Sequence, residues 1–289
     1  MIGPLFRALR PVQWVKNVFV LAPLVFAERL LEPDLLLRAG IAFLAFCFAA
    51  SSIYLVNDLR DREEDRRHPV KKNRPIASGA LAVPIAAAAS AALALAAIGA
   101  ALYLGTAFTI YLAVYLAINL LYSSVLKKMV ILDVMAVSSG YVLRVMAGAA
   151  AIEVEVSKWL LLCSIFLALL LIFSKRRHEI VLLGDNAAGH RAVLGLYSPA
   201  FLDQMINVVT ASTVVSYALY AVDEHTVENF GSDALVYTLP LVLYGIFRYL
   251  YLIYQRNDIQ DPTVALLKDP ALIVCVMLWG AAVVAIVYF

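Results

Sequence analysis

Charge is what this chain has least of. Only 15% of its 289 residues are Asp, Glu, Lys or Arg, while 63% are hydrophobic; a soluble globular domain carries about 25% charged and roughly 45–50% apolar residues. That deficit excludes a cytosolic globular enzyme, a disordered protein and a nucleic-acid binder. Cysteine is scarce as well. Cys47, Cys163 and Cys275 each lie inside an apolar run, which fits small buried hydrophobes rather than a disulfide framework or a metal site. The chain has no glycine-rich phosphate loop, nucleophile elbow or zinc-ligand spacing. Its four histidines stand outside any ligand motif. No A-x-A-like site follows the basic start MIGPLFRALRPVQWVKN, so a cleavable signal peptide is not expected.

What is present in quantity is apolar length. A membrane-crossing helix needs about 20 mostly apolar residues, because ~30 Å of hydrocarbon divides by 1.5 Å per residue. Nine segments qualify, at about 12–31, 35–56, 80–103, 106–126, 131–151, 157–174, 201–222, 234–255 and 270–288. The first is the weakest, since its uninterrupted apolar part runs only from Val18 to Ala27 and contains Pro23. Long Ala/Leu-rich runs without alternation argue against barrel strands. The expectation is an all-α polytopic bundle of nine transmembrane helices forming one domain over 1–289. The formal charge of +2 hides a strong asymmetry: 18 of the 23 Lys and Arg fall in the N-terminal stretch and in the loops after spans two, four, six and eight. By the positive-inside rule those parts, with the N-terminus, are cytoplasmic.

The two longest polar loops, 57–79 and 175–200, are both on that side, and long connectors in a bundle tend to be functional. In the first, Asn57, Asp58, Asp61 and Asp65 form an N-D-x-x-D-x-x-x-D pattern running off span two. On a continuing helix the three aspartates fall within an arc of about 60°, facing the aqueous loop. Carboxylates so crowded repel one another unless a cation sits among them, and hard oxygen ligands favour Mg²⁺, which also bridges to phosphate oxygens. Lys71, Lys72 and Arg74 follow at once, so acid plus metal faces base, as a diphosphate requires. A solvated acidic-basic helix end is the other reading of the same residues; Glu63 and Glu64 point elsewhere, towards solvent. Arg144 lies inside span five, where an isolated cation costs ~2.5 kcal/mol or more, and Asp133, three turns earlier, shares its face. Arg144 serves either a structural pair or a substrate. Arg248, inside span eight, has no nameable partner.

These motifs, with nine spans and loops after spans two and six, resemble the UbiA superfamily of intramembrane prenyltransferases. Longer strings are similar to one branch, the decaprenyl-phosphate phosphoribosyltransferases: RPVQWVKN at 10–17, NDLRDREEDRRHPVKKNRPIASG at 57–79, YSSVLKKMVILD at 122–133, SSGYVLRVMAG at 138–148, SKRRHE at 174–179 and FRYLYLIYQ at 247–255. The superfamily's usual second aspartate motif after span six is replaced by Ser174-Lys175-Arg176-Arg177-His178-Glu179, with only Asp185 beyond. A basic cluster there suits direct capture of an anion. The resemblance implies transfer of a 5-phosphoribosyl group from 5-phosphoribosyl-1-pyrophosphate to a polyprenyl phosphate in a bacterial inner or plasma membrane. Asp58, Asp61 and Asp65 would hold Mg²⁺, oriented by Asn57. Lys16, Asn17, Lys72, Arg74, Tyr122, Lys127, Arg144, Lys175 and Arg176 would contact the substrates. Self-association is left open. The competing readings are a conventional prenyltransferase using a prenyl diphosphate, a transporter, and a non-catalytic scaffold.

Overall fold

The computed structural model describes residues 2–68, 71–184, 192–255 and 268–289, and among them there is helix and turn but no strand. Helix α1 (Ile2–Leu9) leads into a 3₁₀ helix (Pro11–Leu21) and α2 (Ala22–Phe26). Next come α3 (Pro33–Arg60), α4 (Arg62–Arg67), α5 (Val83–Leu104), α6 (Thr106–Ser124), α7 (Leu132–Ala151) and α8 (Lys158–Leu183). The chain ends with α9 (Pro199–Val222), α10 (Glu224–Phe230), α11 (Leu239–Gln255) and α12 (Pro270–Tyr288). Among the described residues eight helical segments are long and apolar enough to cross a membrane, seven of them α3, α5, α6, α7, α8, α9 and α12, and the eighth Ala234–Gln255. The protein is an integral membrane protein.

The first expected span differs. Instead of an α-helix over 12–31 there is a shorter apolar segment, Pro11–Phe26, mostly wound as 3₁₀. At about 2.0 Å per residue its 3₁₀ part is roughly 22 Å long, and α2 adds about 7.5 Å, so the pair still measures close to one hydrocarbon thickness. Long 3₁₀ runs are uncommon, and tertiary anchors account for this one. With three residues per turn, Trp14, Asn17 and Val20 stack on one face. Trp14 Nε1 donates to Ser51 Oγ at 3.0 Å and Asn17 Nδ2 to Cys47 Sγ at 3.2 Å, one α-turn apart on α3. At the third position, a Cβ added to Gly148 of α7 would lie 2.0 Å from the Val20 carbonyl oxygen. Only glycine lets the two backbones approach so closely.

The chain divides into two compact units, Met1–Ser124 with Leu143–Glu155, and Val125–Val142 with Val156–Phe289. In the first, α3 packs along α5, where Ser52 and Ser90 exchange hydrogen bonds with each other's carbonyls at 3.0 and 3.2 Å. Its core gathers Phe46, Phe108, Leu112 and Tyr115 around the alanines of α3, α5 and α7. In the second, α8 packs on α9 and α11 on α12, with Trp279 Nε1 donating to Tyr217 Oη at 2.9 Å. Cys47 and Cys275 are buried, Cys163 half-buried, and all three are free thiols.

Candidate active site

The polar stretch after α3 is more helical than expected. Helix α3 continues to Arg60, Asp61 makes a kink (φ −89°, ψ 7°), and α4 resumes at Arg62. The i−4 bonds survive the kink: Asp61 N donates to Asn57 O at 2.9 Å and Asp65 N to Asp61 O at 2.8 Å. Beyond it, residues 71–79 fold back on the pair of helices. Ile76 and Ala77 are buried, and Arg66 Nε reaches the Ala77 carbonyl at 3.1 Å.

Asp58 and Asp65 do not face an aqueous loop; they are 3% and 2% exposed. Two arginines neutralise them. Arg10 Nη2 donates to both Asp58 oxygens, at 2.7 and 3.0 Å. Arg74 Nη1 donates to Asp58 Oδ1 at 3.1 Å and to Asp65 Oδ2 at 2.6 Å, bridging the two acids. Burying a carboxylate is costly unless it is paired and hydrogen-bonded, so the arginines are a condition of this packing. Asp61 and Asn57 are half-buried beside them, whereas Glu63, Glu64 and Lys72 are exposed. Arg10 was missed in the sequence. Its backbone is left-handed (φ 54°, ψ 57°) at the turn between α1 and Pro11, a conformation costing an ordinary residue roughly 1–2 kcal/mol, and its guanidinium lies 4.9 Å over the Tyr54 ring. Its signals were its place at the head of the RPVQWVKN string and just before a proline, where αR backbone is disfavoured.

The donor set suits a hard divalent cation. Oxygens of two separate carboxylates lie within 3.1 Å of one nitrogen, and magnesium sites commonly use one or two carboxylates completed by water and phosphate oxygens. A three-residue cage is not formed: among the described residues no three His, Cys, Asp or Glu side chains are grouped to hold an ion. Asp58 and Asp65 converge on one point, and Asp61, at the kink between the two helices, is half-buried.

Arg144 and Asn17 meet in the core of the first unit. Arg144 Nε donates to Asn17 Oδ1 at 2.7 Å and Nη2 to Tyr115 Oη at 3.0 Å, and its guanidinium stands 4.8 Å from the Tyr115 ring centre. Lys16 and Tyr122, also in that unit, are half-buried. In the second unit, Asp133 is wholly buried and accepts from Arg176 Nε and Tyr197 Oη, both at 2.7 Å. Tyr197 Oη in turn accepts from Ile131 N at 2.6 Å. Burial and the neighbouring Asp133 push the Tyr197 hydroxyl above its ordinary pKa, so it remains a donor.

The basic run on α8 is not the open anion trap expected of it. Arg176 also bonds Glu179 at 2.9 Å, and Arg177 pairs with Asp203 beneath the Tyr254 ring. The reason is that α8 continues through 175–183 as helix, turning those arginines onto acids of its own unit. Lys175 and Lys127 are half-buried. Asp185 and Arg191 of the expected 175–200 loop, like Arg256, lie outside the described residues. Arg248 has a partner after all: it bonds Asp269 at 2.7 and 3.1 Å, and Asp269 caps α12 through Leu272 N at 2.9 Å.

Comparisons with known proteins bear on the family and the fold. Residues 18–268 match the UbiA prenyltransferase family. The chain is 38% identical to a decaprenyl-phosphate phosphoribosyltransferase of Corynebacterium glutamicum, over 98% of this chain and 86% of that one. It is 34% identical to the protein of the same name from Mycolicibacterium smegmatis, over 100% of this chain and 94% of that one. The structure of a UbiA homolog from Archaeoglobus fulgidus bound to DMAPP and Mg²⁺ superposes with a TM-score of 0.73 at 21% identity, covering 98% of each chain; the fold is shared.

Proposed function

From the premise that the chain belongs to the UbiA prenyltransferase family, we propose that it transfers a 5-phosphoribosyl group from 5-phosphoribosyl-1-pyrophosphate to a polyprenyl phosphate, releasing pyrophosphate with Mg²⁺ as cofactor. Full-length similarity to two enzymes named decaprenyl-phosphate phosphoribosyltransferase supports that choice of substrates. The single observation that carries the chemistry is the convergence of buried Asp58 and Asp65 on one cation position, with Arg10 and Arg74 at hand.

Asp58 and Asp65, with Asp61 and Asn57 beside them, would hold Mg²⁺. When bound, the ion supplies neutralisation of the charge that builds on the departing pyrophosphate. Arg74, and Lys72 on the same fold-back, add positive charge for phosphate oxygens. The attacking group is a phosphate monoester, anionic at neutral pH because its second pKa is about 6, so no side chain need serve as a strong base. That fits a site in which every carboxylate with a bonding partner already accepts from a guanidinium. Arg144 and Asn17 act as anchors of the 3₁₀ helix in this reading rather than as substrate contacts. Pro11–Phe26 is read as a ninth, partly 3₁₀ crossing, and the Asp58 end of α3 as cytoplasmic, from the distribution of Lys and Arg.

The test supplies purified protein in detergent with radiolabelled phosphoribosyl pyrophosphate, decaprenyl phosphate and Mg²⁺. A labelled lipid that disappears on chelation is expected. No labelled lipid, with turnover of a prenyl diphosphate instead, would contradict the proposal and favour a conventional prenyltransferase.

A further inference from the structure

We propose that Arg74 is an exchangeable counter-ion: it occupies the cation position between Asp58 and Asp65, is displaced from it when a divalent ion binds, and then engages the diphosphate. This rests on the function proposed above, and it assigns different roles to two arginines that touch the same acid.

The contrast lies in how each arginine is held. Arg10 bonds Asp58 alone, through one nitrogen shared between both carboxylate oxygens. Its backbone is fixed in a left-handed turn next to Pro11, and its guanidinium lies over Tyr54. It has no bond to Asp65 to give up when an ion arrives. Among the described residues, Arg74 Nη1 is the one atom that touches both acids. A divalent ion touching the same two oxygens competes for that point, and two cations cannot share it. The Arg74 backbone is tied down on either side: its N–H donates to Lys71 O at 2.9 Å and its carbonyl accepts from Ser78 N at 2.9 Å, with Ile76 fully buried between. Exchange therefore moves the side chain and leaves the loop in place. The released guanidinium keeps its charge beside the ion, and its fork of donors matches phosphate oxygens. Arrival of the metal would so be coupled to presentation of a phosphate-binding group.

Mn²⁺ alone, titrated calorimetrically into detergent-purified full-length protein, reads this out without turnover. Arg74→Ala should bind Mn²⁺ about tenfold more tightly than the wild type, since a competing cation is gone. The same variant should lose most of the gain in Mn²⁺ affinity that inorganic pyrophosphate gives the wild type. Arg67→Ala removes an exposed charge from the same region without touching the acids, and should leave Mn²⁺ affinity within about twofold. Should Arg74→Ala be poorly folded, Arg74→Gln, which retains donors but no charge, should also tighten Mn²⁺ binding. Unchanged or weaker Mn²⁺ binding in a folded Arg74 variant, with binding still lost in Asp65→Asn, overturns the counter-ion role and spares the site. Wild-type Mn²⁺ affinity in both Asp58→Asn and Asp65→Asn overturns the metal site itself, and this inference with it.

Discussion

Residue by residue, the site is a balance of buried charges, and removing one charge exposes it. Asp65→Asn leaves Arg74 with a weaker partner, but Arg74 is about three-tenths exposed; the stability cost should therefore stay near ~1–2 kcal/mol, well short of a fully buried pair. Turnover should fall at least about a hundredfold, the scale of losing one preorganised charge-stabilising group. Asp58→Asn should cost more stability than Asp65→Asn, because Asp58 answers two arginines. Comparing thermal melts and labelled-lipid formation for the two variants checks both statements. Arg144→Ala leaves Asn17 Oδ1 and Tyr115 Oη in the core without this donor, at a cost of about 2–3 kcal/mol. The expected result is a lower melting temperature and less protein in the membrane; a variant with wild-type stability but no activity would point instead to a substrate contact. The acidic motif was legible in the sequence because its spacing and its basic neighbours imply a cation. The answering arginine was not: nothing local links Arg10 to an acid 48 residues away, since that pairing is created by tertiary packing.

Among the elements, the 3₁₀ helix depends on a three-residue spacing of anchors that helical periodicity does not anticipate. The weak first span was visible in composition, through its short apolar core and Pro23. Its winding was not, because the 3₁₀ run is stabilised by Ser51, Cys47 and Gly148 on other helices rather than by its own propensities. Gly148→Ala should show this dependence. Its new methyl meets backbone, not a side chain that can rotate away, so overpacking of about 1–3 kcal/mol or more follows. A melting temperature lowered by several degrees is expected, against no lowering for Gly99→Ala, which has open space at the corresponding position and gains helix propensity. Continuation of the helix past residue 57 was suggested by the spacing of its aspartates, whereas the helical character of residues 175–183 was hidden by high charge, which reads as loop. In the structure several of those charges pair within the helices and their neighbours, at Arg66–Glu63, Arg176–Glu179 and Arg177–Asp203.

For the molecule as a whole, membrane insertion was the most legible property, since apolar length and low charge leave few alternatives. Orientation rests on the Lys and Arg count and is directly checkable. In intact cells, Cys substituted for exposed Lys72 should resist a membrane-impermeant maleimide, while Cys at exposed Glu153 should react; in inverted vesicles the reactivities should exchange. The reverse pattern would place the carboxylate pair on the outer face, away from a water-soluble cytoplasmic donor. The central claim is that Asp58 and Asp65 together grip the ion that accepts the leaving pyrophosphate. Anomalous scattering from crystals grown with Mn²⁺ and phosphoribosyl pyrophosphate tests it most directly. A manganese peak in contact with both carboxylates and the diphosphate is expected; a peak elsewhere, with Asp58 and Asp65 still bridged by Arg74, would contradict the account.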